Sequence, residues 1–244
     1  MLNSLIKSMS CRIVILGDFN TSNPTHHALD ESIKHAQKRI GRLIDCTWIG
    51  TDLFDSKKVF GGDYSGLWIA PGSPYKSMEN VIDAIYYTRT RKIPTFGICA
   101  GFQHMLIEFA RNTCGIEKAD HQETSLLSSD FVVSKLSCSL VGREEELTVV
   151  DKSSKLFKLL KKEKFLGKYY CNYGLNNRYI EVLKKNGCYI TAVSPDREAR
   201  AFELRPHPFF LGTLFQPTLK SSINAPSPII LDFLESSIDY SERD

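Results

Sequence analysis

The chain has 244 residues, 42% hydrophobic and 24% charged, which is enough to bury one large core and reads as an ordinary soluble globular protein. A formal net charge of +3 predicts neither a nucleic-acid nor a membrane surface, and short runs such as Lys161–Lys164 and Arg143–Glu146 read as solvated faces. No stretch approaches the roughly 18 apolar residues of a membrane helix. Met1–Ser10 is too short and polar for a secretory signal, and seven scattered cysteines without a C-x-x-C suggest no disulfide framework, so a reducing cytoplasm is expected.

Arg12–Leu16 is a short β-branched strand stopped at Gly17-Asp18. After a loop with Pro24, apolar spacing at Ala28, Leu29, Ile33, Ala36 and Ile40 predicts a helix from about Thr25 to Gly41. Cys46–Ile49 and Leu67–Ala70 are predicted strands, the latter stopped by Pro71-Gly72. Ser77–Arg91 predicts a helix with Val81, Ile82, Ile85 and Tyr86 on one face. Pro94 marks entry into the next strand, and Phe102, Met105, Leu106 and Phe109 line one face of the helix behind it. This alternation predicts an α/β fold, doubly wound, with a mostly parallel sheet covered by helices on both faces. Sites in such folds lie at the carboxyl ends of the strands.

The second half is less regular. Asp130–Leu140 and Glu146–Val150 read as strands, Ser153–Lys162 as a short helix, and Tyr179–Leu183 and Cys188–Val193 as further strands. Ser227–Ser237 predicts a terminal helix and Asp239–Asp244 a frayed tail. No repeat, low-complexity linker or boundary interrupts the chain, so residues 1–244 are expected to form one domain.

The segment Phe96-Gly97-Ile98-Cys99-Ala100-Gly101-Phe102-Gln103 carries the chemistry. An apolar strand runs into a Gly-Cys-Gly turn and a helix begins at once, which lifts Cys99 to the tip of a sharp elbow. Small neighbours permit the turn, and the free N–H groups of the helix start favour a thiolate over a thiol. Hydrolases place a serine by the same logic.

On these residues the chain resembles the class I glutamine amidotransferases, in particular the glutaminase domain of CTP synthase. The similarity runs through Gly66–Ser73, Ile93–Gln103, Ile107–Asn112 and Ala119–Glu123. It resumes at His207–Pro217, followed by Lys220-Ser221 and Pro226–Pro228, and is weaker at Val14–Phe19. The resemblance implies a flavodoxin-like fold closed by a hairpin of Arg200–Leu204 and Phe209–Phe215. It implies Cys99 as nucleophile, with an oxyanion hole from the N–H groups of Ser73, after Gly72, and Ala100. It also places Gln103 against the substrate and Glu123 at the substrate amino group.

Three departures bear on activity. The family's Phe-His-Pro-Glu motif reads Phe215-Gln216-Pro217-Thr218, and neither Gln216 nor Thr218 is a base near neutral pH. The arginine that grips the glutamine carboxylate before a tyrosine is Asn172, before Tyr173. The family's Pro-Gly-Gly strand reads Pro71-Gly72-Ser73.

His121, two residues before Glu123, is the first candidate to replace the base: in an extended segment both would point the same way. His26 and His27, after the first strand, are the second candidates, with Asp18 as an orienting group. His104 and His207 read as structural, and His35 carries no signal. Three functions follow as expectations. One is a stand-alone cysteine hydrolase for a small substrate bearing an amide, nitrile or amine. Another is a catalytically silent domain binding a metabolite or partner. The third is a glutaminase subunit docking on a separate synthetase, with a homodimer as a further assembly. No G-x-x-x-x-G-K-[ST] loop is present, and no ligand spacing supports a metal or cofactor.

Overall fold

The computed structural model describes residues 11–125 and 128–243. The reading of Met1–Ser10 as no signal segment therefore lies outside the described residues, as does Asp244. The first strand, β1 (Arg12–Leu16), pairs in parallel with β2 (Asp45–Ile49) on one side and β3 (Tyr64–Ile69) on the other. β4 (Thr95–Ile98) and then β12 (Phe210–Thr213) continue the parallel half. Beyond β12 the same sheet turns antiparallel through β11 (Ala199–Leu204), β10 (Cys188–Val193), β7 (Glu144–Val149) and β8 (Lys164–Lys168). A small second sheet, β5 (Ala119–His121), β6 (Asp130–Lys135) and β9 (Tyr173–Leu175), stands beside α4 (Ala100–Asn112).

Helices cover the sheet in two groups. α1 (Pro24–Ile40) packs with the terminal α7 (Pro228–Ser241), which also meets β3 and α5 (Lys155–Leu160). α3 (Met78–Thr90) packs with α4 and with α2 (Ser56–Phe60). Strand alternation sorts the residues between them. Trp68 and Phe96 meet Phe233 of α7, with ring centroids 5.6 and 5.7 Å away, whereas Gly97 backs onto Met105 of α4. Each buried aromatic there contributes about 1.5–3 kcal/mol of apolar burial. α1 starts where Asn23 accepts the Thr25 N–H ahead of Pro24, and it stops at Gly41, whose φ of +74° few other residues adopt.

The structure corrects the sequence in several places. Tyr179–Leu183 is not a strand: Asn176 caps a 3₁₀ turn, Asn177–Tyr179, which runs into α6 (Ile180–Lys185). The cap outweighs the β-branched and aromatic composition of that run. The Asp130 strand ends at Lys135, and residues 136–140 run on as irregular chain, with the Leu136 and Leu140 N–H groups on the carbonyls of Asn172 and Cys171. α7 continues to Ser241, so most of the expected tail is helical. Among the described residues no helix is long and apolar enough to cross a membrane.

Candidate active site

β4 delivers the chain to Cys99, and α4 leaves from it. Cys99 has φ +56° and ψ −105°, a conformation that crowds any side chain. The turn is enforced by its surroundings. The Cys99 N–H is tied to the Thr213 carbonyl at 2.9 Å, and the Gln103 N–H returns to the Cys99 carbonyl at 3.2 Å. A methyl group on Gly101 would come within 2.6 Å of the Ile69 carbonyl, so only glycine lets α4 start this close to β3. The N–H of Ala100, in the first turn, has no partner within the helix, and the Ser73 N–H has none among the described residues. The Ala100 N–H thus stands free next to Cys99, and the Ser73 N–H is free on the loop after β3.

The loop that carries Ser73 is braced from below. His26, buried in α1, donates from Nε2 to the Pro71 carbonyl at 2.9 Å while its Nδ1 accepts the Asn20 N–H at 3.0 Å. Gly72 beside it has φ +108°, and a Cβ there would sit 3.2 Å from His26 Nε2. Burial holds His26 below its usual titration range, so it stays neutral. Asp18 ties the neighbouring loops together by accepting the Thr51 N–H and hydroxyl and the Lys76 N–H at 2.8–3.1 Å. His27 meets the Thr21 carbonyl, and His35 lies beside the Ser221 hydroxyl.

On the other flank, Gln103, His121 and Tyr173 form one chain of hydrogen bonds. His121 Nδ1 accepts the Glu123 N–H at 3.1 Å, which leaves Nε2 to donate to Gln103 Oε1 at 3.1 Å. Gln103 Nε2 then donates to the Tyr173 carbonyl at 2.8 Å. Burial, and His104 stacked at 5.9 Å, push the His121 imidazole down to about 3. His104 itself is pushed down to about 4 by burial, and its Nδ1 donates to the Ala100 carbonyl. The segment turns after His121, so Glu123 does not extend alongside it. Its carboxylate instead accepts the Ser73 hydroxyl at 3.0 Å. A cavity of about 470 Å³ opens here, lined by Ser73, Tyr75, His104, His121 and Glu123 among others.

The expected Cys99–His121 contact is absent: among the described residues no hydrogen bond joins Cys99 to His121 or His26. Cys99 Sγ lies 3.8 Å from the Tyr170 carbonyl, and the Cys171 thiol meets the Leu214 carbonyl at 3.9 Å. Asn172 is exposed. Gln216 is buried with neither amide atom partnered among the described residues, and Thr218 Oγ1 is in the same condition. His207 packs edge-on against Phe210. No group of three or more His, Cys, Asp or Glu among the described residues is placed to hold a metal.

The model of the family "Glutamine amidotransferase class-I" matches residues 25–235. The chain belongs to that family. It is 29% identical over 241 residues to a CTP synthase of Cytophaga hutchinsonii, covering 94% of this chain and 45% of that protein. It is 32% identical over 216 residues to a CTP synthase of Methanoregula boonei, covering 86% and 40%. The chain thus spans less than half the length of these curated relatives. The solved glutaminase domain of Trypanosoma brucei CTPS with bound acivicin superposes with a TM-score of 0.87 at 24% identity over 94% of each chain. At that identity the likeness is one of fold.

Two neighbours of Cys99 in this amidotransferase domain escaped the sequence reading. Tyr75 lies under the site, its hydroxyl donating to the Ala70 carbonyl and its ring 4.8 Å from His104. Burial, then Cys99, raise its pKa well above the usual phenol range. Cys171 lies within the Tyr170–Tyr173 stretch already singled out for Asn172. There, outside any strand, Cys171 is buried and Asn172 exposed, which no residue pattern in that stretch announces.

Proposed function

We propose that this amidotransferase domain uses Cys99 to attack a small substrate with an amide, nitrile or related C–N bond, and that unactivated glutamine is a poor one. The observation that carries this reading is the Cys99 backbone, held at φ +56° at the elbow next to the free Ala100 N–H. The thiolate would add to the substrate carbon, and the charge gathering on the substrate oxygen or nitrogen would fall to the N–H groups of Ser73 and Ala100. The C–N bond of an amide then breaks, and water cleaves the thioester to release the acid and the thiol. Glu123, with Gly72 and Ser73 opposite, would receive a substrate amine. Asn172 and Tyr173 would border its far end with an amide and a hydroxyl.

His121 would position Gln103 against the substrate instead of serving as base, because both its ring nitrogens are engaged. Protonation of the leaving group then falls to water, which favours activated C–N bonds. Asn172 in place of an arginine removes a charge-assisted pair worth about 1.5–3 kcal/mol, or tenfold to hundredfold in affinity for an amino-acid carboxylate.

The test is alkylation of the seven cysteines by a haloacetamide across pH, followed by a screen of small amides and nitriles for Cys99 adducts. Preferential reaction at Cys99 below the free-thiol range, with turnover lost in Cys99→Ser, supports the reading. Turnover unchanged in that variant ends it. The buried, unpartnered Gln216 and Thr218 favour a second reading, a silent domain that binds a metabolite or docks on a separate synthetase subunit. Cys99 with ordinary thiol reactivity would select that one.

A further inference from the structure

We propose that Cys99 and Cys171 form a reversible redox pair, and that a peroxide closes them into a disulfide that caps the nucleophile. Both are free thiols, 6% and 7% exposed, lying far apart in sequence and brought together by the loop between β8 and β9. Cys99 Sγ faces the Tyr170 carbonyl that immediately precedes Cys171, and the Cys99 N–H meets the Thr213 carbonyl, next to the Leu214 carbonyl that the Cys171 thiol meets at 3.9 Å.

The two thiols have different roles. Cys99 stands at the strand-to-helix elbow, at the start of α4. Its neighbour Cys99, then burial, hold the Cys171 thiol well above the ordinary range, so Cys171 keeps its proton. Cys99 is therefore the sulfur that is oxidised. Its thiolate attacks one peroxide oxygen, the O–O bond breaks, hydroxide leaves, and the sulfur becomes a sulfenic acid after losing two electrons. The Cys171 sulfur then attacks the sulfenic sulfur. The S–S bond forms as the S–O bond breaks, and the departing oxygen takes the Cys171 proton and leaves as water. A dithiol reductant returns two electrons and two protons and restores both thiols.

This inference shares with the proposed function only the requirement that Cys99 be available as a thiolate. The intact protein is treated with stoichiometric hydrogen peroxide, quenched, digested without reductant and read by mass spectrometry, alongside an untreated sample alkylated with a haloacetamide. The expected result is a Cys99–Cys171 cross-linked peptide lighter by two hydrogens, near-complete loss of Cys99 alkylation, and recovery with dithiothreitol. In Cys171→Ser, Cys99 should instead accumulate as a dimedone-trapped sulfenic acid. Should Cys171→Ser fail to fold, the cross-link in the unaltered protein still decides. If Cys99 alkylates readily but peroxide yields only sulfinic acid and no cross-link, the redox pair is wrong and the nucleophile stands. If Cys99 resists both reagents, both readings fall together.

Discussion

His121 donates from Nε2 to Gln103 Oε1 at 3.1 Å, and the amide so oriented donates to the Tyr173 carbonyl at 2.8 Å. This is a histidine fixing an amide, with Nδ1 closed off by the Glu123 N–H. Replacing His121 by Ala should leave Gln103 Oε1 unpaired and lower stability by about 1–3 kcal/mol. The alkylation rate of Cys99 should not change. Urea denaturation and timed haloacetamide labelling check the two halves, and a steep fall in Cys99 reactivity would restore His121 as the base.

Stability should fall with acid in a window set by His104 and His121. Unfolded, each ring takes up a proton near pH 6.5. Folded, they refuse it down to about 4 and about 3. The unfolded chain thus binds more protons between those limits, and stability present above pH 6.5 is lost as pH falls toward 4. Each ring contributes about 1.4 kcal/mol per pH unit over that range. Urea midpoints from pH 7.5 to 4.5 measure the slope, which His104→Gln should reduce. An unchanged slope in that variant would remove His104 from the account.

At Cys99 the usual ranking of alanine over glycine should reverse. A residue without Cβ escapes the crowding at φ +56°, so Cys99→Gly should be more stable than Cys99→Ala by about 1–2 kcal/mol. Thermal melts of the two variants give the answer. Equal stability would mean that the elbow relaxes once the thiol is gone.

Gln216 buries an amide with no partner among the described residues, which costs about 1–3 kcal/mol. Gln216→Leu, of similar size, should therefore raise the denaturation midpoint and leave Cys99 labelling as it was. A loss of stability would show that the amide has a water partner.

The elbow was legible in the sequence because its causes are local: an apolar strand, glycines at 97 and 101, and a helix face behind them. The bracing of the Gly72 turn by His26 was only half legible. The position of His26 after the first strand pointed to the loop, but its task there, holding the Pro71 carbonyl, depends on packing. The Cys99–Cys171 contact was not legible, since it arises from a loop between two strands of different sheets. Likewise the turn after His121 is closed by the Thr124 and Ser125 N–H groups on the His121 carbonyl and the Glu123 N–H on its ring, which no pattern of residue types announces.

Asp18 receives hydrogen bonds from Thr51 and from the Lys76 backbone, so a single carboxylate fastens the segments that follow the first three strands. These segments therefore resist opening one at a time. On the loop that carries Cys171, Tyr170 is 47% exposed and Asn172 faces water, so a molecule approaching Cys99 over that loop would meet a phenol and an amide. Molecules admitted there would be sorted by what Tyr170 and Asn172 allow past before Cys99 is reached.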